Sequence, residues 1–296
     1  DIDHTYRGDL DIVLVSPSGT ESWLAEGGRS DSGDDFDDWT FSTVHNWGEQ
    51  STGTWTLKVR DTTAGFSGTL NSWSLKILGT SNPLYVTGTF EYEDREFDET
   101  GFTGVNPYLP IRRADVEIFD DSTGAILATT HTNNLGAFNA SITIGAATDI
   151  GVRVLTSSEE NQRLFNQTVR KTPATGSTIY SLTSSIYSSN QPGANIDFTS
   201  SPVQASASGV AGAFNVFDMA EFAESYVENL TSQPAPLNLT LYWTAGEGTT
   251  GSKWYDLNGH VYLCGTSDDD DSYDDVVILH EIGHYIHLSY SGSPAY

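Results

Sequence analysis

The 296-residue chain carries 40 Asp and Glu against 13 Lys and Arg, a formal charge of −27. That balance excludes nucleic acid and anionic membrane surfaces as partners and suits a secreted, extracellular or cell-surface protein kept soluble by its charge. The length implies two or three domains, no apolar run is long enough to cross a bilayer, and the single Cys264 leaves no internal disulfide.

The chain opens at Asp1 directly in a strand-like pattern, with no Met or signal peptide, which reads as a fragment of a larger protein. Leu10, Ile12 and Leu14 alternate with their neighbours, and 16–19 is a turn. Residues 54–60 and 72–77 alternate likewise, so the first unit, 1–79, reads as a β-sandwich. The segments His4-Thr5-Tyr6-Arg7-Gly8-Asp9-Leu10, Ser16-Pro17-Ser18-Gly19-Thr20, Trp47-Gly48-Glu49, Gly53-Thr54-Trp55 running to Arg60-Asp61, and Gly68-Thr69-Leu70-Asn71-Ser72-Trp73-Ser74-Leu75 follow in order. Together they resemble the P domain of proprotein convertases. The resemblance implies a jelly-roll accessory domain, here lacking its opening strands. Within that pattern Arg7-Gly8-Asp9 reads as structural rather than adhesive. Convertase P domains follow a subtilisin-like domain, but no Ser/His/Asp protease motif is visible here. Asp31, Asp34, Asp35, Asp37 and Asp38 form an acidic loop with enough oxygens for a calcium ion.

Asn82-Pro83 marks a boundary, and a second β unit is predicted over 83–205. Residues 85–92 and 114–119 alternate, 121–124 turn into 126–130, and Asn133-Asn134-Leu135-Gly136 leads into another strand. This order resembles the transthyretin-like regulatory domain of carboxypeptidases, which implies an immunoglobulin-like sandwich with a spacer or binding role. The Ser-, Thr-, Gly- and Pro-rich sequence over 172–209 reads as last strands plus a linker.

The third unit is predicted over 210–296. Phe214, Phe217, Met219, Ala220, Phe222, Ala223, Tyr226, Val227 and Leu230 recur at helical spacing and read as core. Strands follow at 238–243 and 260–265, then the acidic 268–271 loop, in which Asp268 and Asp270 offer a second calcium site. Ser272 reads as the N-cap of a final helix, with Asp275 completing a capping box.

That helix carries His280-Glu281-Ile282-Gly283-His284. His280 and His284 stand one turn apart, about 6 Å along the axis, so both imidazoles can reach one zinc ion. Glu281 projects beside them, placed to take the proton of a zinc-bound water as general base. His287 follows on the same face, about 10.5 Å beyond His280, too far to share a tetrahedral ion with both. It is assigned, with His260, to the rim of the cleft. The metzincin extension is absent, since His287 and Tyr290 occupy its Gly and His positions. Residues around Ala213-Phe214-Asn215 and the Glu-Ile-Gly-His core resemble gluzincin-type secreted zinc peptidases, including the fungalysin-like group. The resemblance implies a glutamate third ligand on a later helix, here placed beyond Tyr296. The expectation is thus a multidomain protein: two β-sandwiches followed by a partial α+β zincin domain. It would hydrolyse a peptide or protein substrate with Zn2+, and the fragment alone would be inactive. The competing expectation is a non-enzymatic secreted or surface binding protein with β-sandwich modules and a degenerate zincin remnant.

Overall fold

The computed structural model describes residues 1–79, 82–158, 166–231, 238–248, 251–255, 259–267 and 269–291. The chain forms two compact units, Asp1–Ser81 and Asn82–Tyr296. It is mostly β-structure, with two long helices, α1 (Ala211–Leu230) and α2 (Asp275–Ser291), both in the second unit.

In the first unit the strand Leu10–Val15 lies between Glu21–Ala25 and Thr56–Asp61, antiparallel to both. Five of its six residues are buried, so alternation alone understates how covered this central strand is. Ile2, Leu10, Ile12, Ala25 and Phe36 make the core. The ordered segments read from the sequence meet through polar side chains. Ser18 Oγ donates to Glu49 Oε2 at 2.8 Å, joining the 16–20 turn to the 47–49 segment. The hydroxyls of Ser16, Thr20 and Ser18 around Glu49 bring its pKa down to about 2. Asp11 accepts from the Gly27 amide at 2.7 Å and from Arg60 Nε and Nη2 at 3.0 and 2.5 Å. These bonds, the Gly27 amide foremost, hold its carboxyl below the usual range.

Arg7–Asp9 is one 3-10 turn. A Cβ on Gly8 would lie 2.4 Å from the Asp31 carbonyl oxygen, so only glycine fits beneath the acidic loop. Arg7 Nε donates to Asp31 Oδ2 at 2.9 Å, and its guanidinium lies 4.9 Å from the Trp39 ring centroid. The strand predicted over 72–77 is not formed. Asn71 and Ser72 amides bond to the Asp1 carbonyl, but Trp73, Leu75 and Ile77 are exposed and pair with no strand among the described residues. An alternating segment becomes a strand only where an edge is available to receive it.

The second unit holds three larger sheets. In the first, the order is Ile126–His131, Asp115–Asp120, Thr148–Leu155, Ser181–Thr183, with Tyr187–Asn190 also on Thr148–Leu155. In the second, Leu84–Glu93 lies between Ala137–Ile142 and Asn195–Ala205, with Tyr108–Pro110 paired to its end. The third runs Gln167–Arg170, Leu239–Tyr242, His260–Tyr262, Lys253–Tyr255, parallel except for the last pair. One apolar core runs from Leu84, Val86 and Val116 through Phe214 and Phe217 to Ile278, Ile282 and Tyr285. The sandwich sheets and the helices therefore share an interior, and residues 195–205 form one of the strands of the second sheet. An α+β zincin domain is not shown; what is shown is a largely β chain with helices packed on this common core.

Both helices depart from the sequence expectation in detail. Phe222, Tyr226 and Leu230, spaced four apart on α1, are more than half exposed, while Asp218, Glu221 and Glu224 are buried. The inward face of α1 is thus partly acidic. α2 is capped by Asp274, whose Oδ1 accepts from the Val276 and Val277 amides at 3.1 Å each. Ser272, the predicted cap, lies in a preceding 3-10 turn, Asp271–Tyr273.

Gly88 sits on the central strand opposite both Phe138 and Phe198. A Cβ there would fall 2.1 Å from Cε2 of the Phe198 ring. Gly88→Ala should therefore overpack the core and cost about 1–3 kcal/mol. Urea unfolding with an unchanged m-value and a lowered midpoint checks this; an unchanged midpoint refutes it.

Candidate functional site

Three groups of side chains are candidates, and the largest lies where the sandwich meets the helices. Tyr92, at the end of the central strand, donates from its hydroxyl to Asn215 Oδ1 at 3.2 Å and Asp218 Oδ2 at 3.1 Å. Arg112 grips Asp218 bidentately, with Nε and Nη2 each 2.7 Å from one carboxylate oxygen. Asn215 Nδ2 donates to the Ser272 carbonyl and to Asp275 Oδ1, both at 3.0 Å. Four elements are thereby tied together: the central strand, the 110–112 segment, α1 and the start of α2. Burial and the Asp218 charge push the Tyr92 hydroxyl well above its usual pKa, so it remains a donor. The Asp218 bonds raise the Arg112 guanidinium, which stays protonated. Desolvation, then the charge of Asp275, raises Asp94; desolvation likewise raises Asp275. The arrangement is a satisfied ionic lock rather than a reactive centre, because the Asp218 oxygens already accept from Arg112 and Tyr92. The sequence reading missed it. The available signal was Asp218, Glu221 and Glu224 falling among the core positions of α1.

The second group is the histidine pair. His280 and His284 lie on α2 with Nε2 atoms 3.1 Å apart and rings at 89°. His280 is exposed and His284 half-buried, whereas Glu281 is turned inward at 9% exposure. His287 is exposed further along the same helix. His260 lies on the third sheet, edge-on to Tyr242 at 5.4 Å. With Glu247, Lys253, Tyr262 and buried Cys264 it lines an open cleft of about 520 Å³.

The third group is acidic. Asp35 Oδ1 accepts from the His4 amide at 2.7 Å, and Asp31 is held by Arg7 and the Gly33 amide. Asp34 and Asp37 are exposed. Asp270 Oδ1 accepts from the Ser272 amide at 3.1 Å and from Trp243 Nε1 at 3.0 Å. Asp268 lies outside the described residues, as do 292–296.

Among the described residues no group of three or more His, Cys, Asp or Glu side chains is placed to hold a metal ion. The donor set on α2 is two imidazoles, one short of the three protein ligands of a catalytic zinc site. The acidic loops spend carboxylate oxygens on backbone amides, an arginine and an indole rather than converging on a centre.

Residues 1–77 match the family model of the proprotein convertase P-domain. Human proprotein convertase subtilisin/kexin type 6 is 45% identical over 92 residues, covering 29% of this chain and 10% of that protein. Human neuroendocrine convertase 2 is 41% identical over 90 residues, covering 29% of this chain and 14% of the relative. Protease KEX1 of Kluyveromyces lactis is 44% identical over 80 residues, covering 27% and 11%. The chain thus spans 10 to 14% of the length of these relatives.

These findings correct the zinc-peptidase expectation. The relatives are convertases of the subtilisin/kexin type, and among the described residues no third ligand joins His280 and His284. Zn2+ and a general-base role for Glu281 on zinc-bound water fall with it. The likeness to the convertase P-domain is confined to the first unit, and no helix among the described residues is long and apolar enough to cross a membrane.

The raised Asp94 carboxyl gives the second unit a pH signature. Its protonated form supports the fold, fully below the ordinary carboxylate range, and that support is lost as pH rises through the raised value. Asp94→Asn, fixed in the neutral state, should raise Tm by about 2 °C near pH 7 and leave it unchanged near pH 3. Thermal unfolding followed by circular dichroism decides; a lower Tm at neutral pH refutes the assignment.

Proposed function

We propose that this chain is a non-enzymatic secreted or cell-surface protein whose β-structured units act as binding and stabilising modules for a protein partner. The P-domain match over residues 1–77 is the observation that carries this reading. In convertases such a domain assists a protease that acts on protein substrates, and an accessory role transfers most directly with the module. The polar bonds of this unit support it: Glu49, Asp11, Asp31 and Asp35 are engaged in holding loops to strands. The segment 83–205, similar in strand and turn order to transthyretin-like regulatory domains, is read as the second module. The ionic lock around Asp218 supports a structural role for the helices that follow, since its donors and acceptors are consumed internally.

Incubation of the purified chain with casein and a mixed peptide pool, analysed by mass spectrometry, tests the reading. The expected result is no cleavage above a buffer blank, and the same result for Glu281→Gln. Cleavage by the parent that vanishes in Glu281→Gln would show a catalytic chain and overturn the proposal.

A further inference from the structure

The cleft of about 520 Å³ beside the third sheet holds two opposite charges that do not pair with each other, Glu247 and Lys253. Elsewhere in the chain Arg7, Lys58, Arg60, Arg112, Arg113 and Arg153 each have a carboxylate partner. Among the described residues no ion pair or side-chain hydrogen bond engages Lys253, and neither ring nitrogen of His260 is bonded. The cleft contains none of His280, Glu281 and His284.

The sheet explains how these groups come to share one side. Val261 points into the common core, so His260 and Tyr262, its neighbours in the strand, lie half-buried on the other face. Lys253 pairs opposite Tyr262, which makes His260 its diagonal neighbour across the ladder, about 7–8 Å away. A lysine stem and an imidazole at that spacing can close on one small anionic group. On the other side of the cleft Glu247 Oε2 accepts from Thr172 Oγ1 at 2.5 Å, while Oε1 accepts from no described residue. The backbone fixes this carboxylate in place. The Gly265 amide donates to the Glu247 carbonyl at 2.8 Å, and the Glu247 amide donates to the Thr244 carbonyl at 3.0 Å. A Cβ on Gly248 would lie 3.1 Å from Cys264 Sγ, so the turn rests directly on the cleft floor. Both charges are thus anchored to the same stretch of chain, 260–265, before any ligand arrives.

We propose that this cleft binds a small zwitterion of the amino-acid type, a free amino acid or a dipeptide. Its carboxylate is held by Lys253 and His260, and its ammonium donates to Glu247. The charges select it. A net anion is repelled by a chain of charge −27 and meets Glu247, whereas a net cation leaves Lys253 opposed. A dipolar, net-neutral molecule satisfies both groups at once, and charge-assisted bonds at each end supply the affinity. The site is separate from the partner-binding role proposed above and does not depend on it.

Dialanine with free termini, and alanine itself, are titrated into the full chain by isothermal calorimetry. Saturable one-to-one binding of one or both is expected below about 10 mM. Acetylating the amine of the bound compound, or amidating its carboxylate, should each weaken binding by about 10-fold or more, because each removes one charge-assisted contact. Lys253→Gln should weaken binding of the parent compound by a similar factor and change that of the amidated one less than about 2-fold. Glu247→Gln should do the same with the acetylated compound as the insensitive one. Both variants should match the parent chain by circular dichroism, and the blocked compounds test the site on the unaltered chain if either does not. Dialanine binding without alanine binding identifies the ligand as a peptide, and alanine binding as tight as that of dialanine identifies it as a free amino acid. No saturable binding of either, blocked compounds that bind as well as free ones, or variants that weaken blocked and free compounds alike overturns the proposal.

Discussion

The second unit depends on a charge that should not be inside a protein. Asp218 lies in the interior between a sheet and a helix, where an unpaired carboxylate would be prohibitive. Arg112 and Tyr92 make it tolerable by occupying its oxygens, and they come from separate parts of the sandwich. The requirement is mutual. Removing one partner of a buried pair leaves an uncompensated charge, typically about 3–5 kcal/mol of lost stability. The lock therefore specifies how α1 docks. Among the many ways an apolar helix could lie on an apolar sheet, only one brings Asp218 to Arg112 and Asn215 to Asp275. Hydrophobic burial supplies the bulk of the drive, and this network selects the geometry.

Much of the β-structure was legible because period-two alternation reports burial directly. Leu84, Val86, Phe90 and Tyr92 face the core while Tyr85 between them is exposed, as an alternating pattern dictates. The same rule misled at 72–77, where Trp73, Leu75 and Ile77 alternate without a neighbouring edge. Alternation is a property of a segment, whereas a strand is a property of a pair. The helix at 211–230 was legible as a helix but not in its orientation. Its apolar residues exceed one face, so Phe222, Tyr226 and Leu230 could be assigned inward with equal right, and only the three-dimensional partners of Asp218 decide against them. The cap of α2 shows a smaller version of this ambiguity. Ser272 and Asp274 both precede acidic first-turn positions, and the intervening 3-10 turn hands the role to Asp274.

The contrast between the two motif readings is instructive. The P-domain resemblance rested on many residues in a fixed order, and the reasons for that order are visible: Gly8 fits beneath a loop carbonyl, Glu49 gathers hydroxyls from a distant turn, and Arg60 clamps Asp11. The His280–His284 pair rested on local helical spacing. Spacing along one helix can bring two imidazoles within 3.1 Å, and does. A metal centre needs a further ligand from elsewhere in the fold, and helical periodicity carries no information about it.

The sandwich also imposes an order on its own making. Leu84–Glu93 is flanked on one side by Ala137–Ile142 and on the other, in parallel, by Asn195–Ala205. Thr87 and Ile196, joined across that second border, are 109 residues apart in the chain. Closing so long a loop is entropically slow, and parallel pairings of this kind retard folding. On a ribosome synthesising from the N-terminus, the strand that will become the centre of the sheet emerges first and waits with one flank bare. Until residue 205 has left the exit tunnel, Phe90 has no Phe198 to pack against. The nascent chain therefore carries this apolar strand with one flank bare while the 109 residues that separate Thr87 from Ile196 are made.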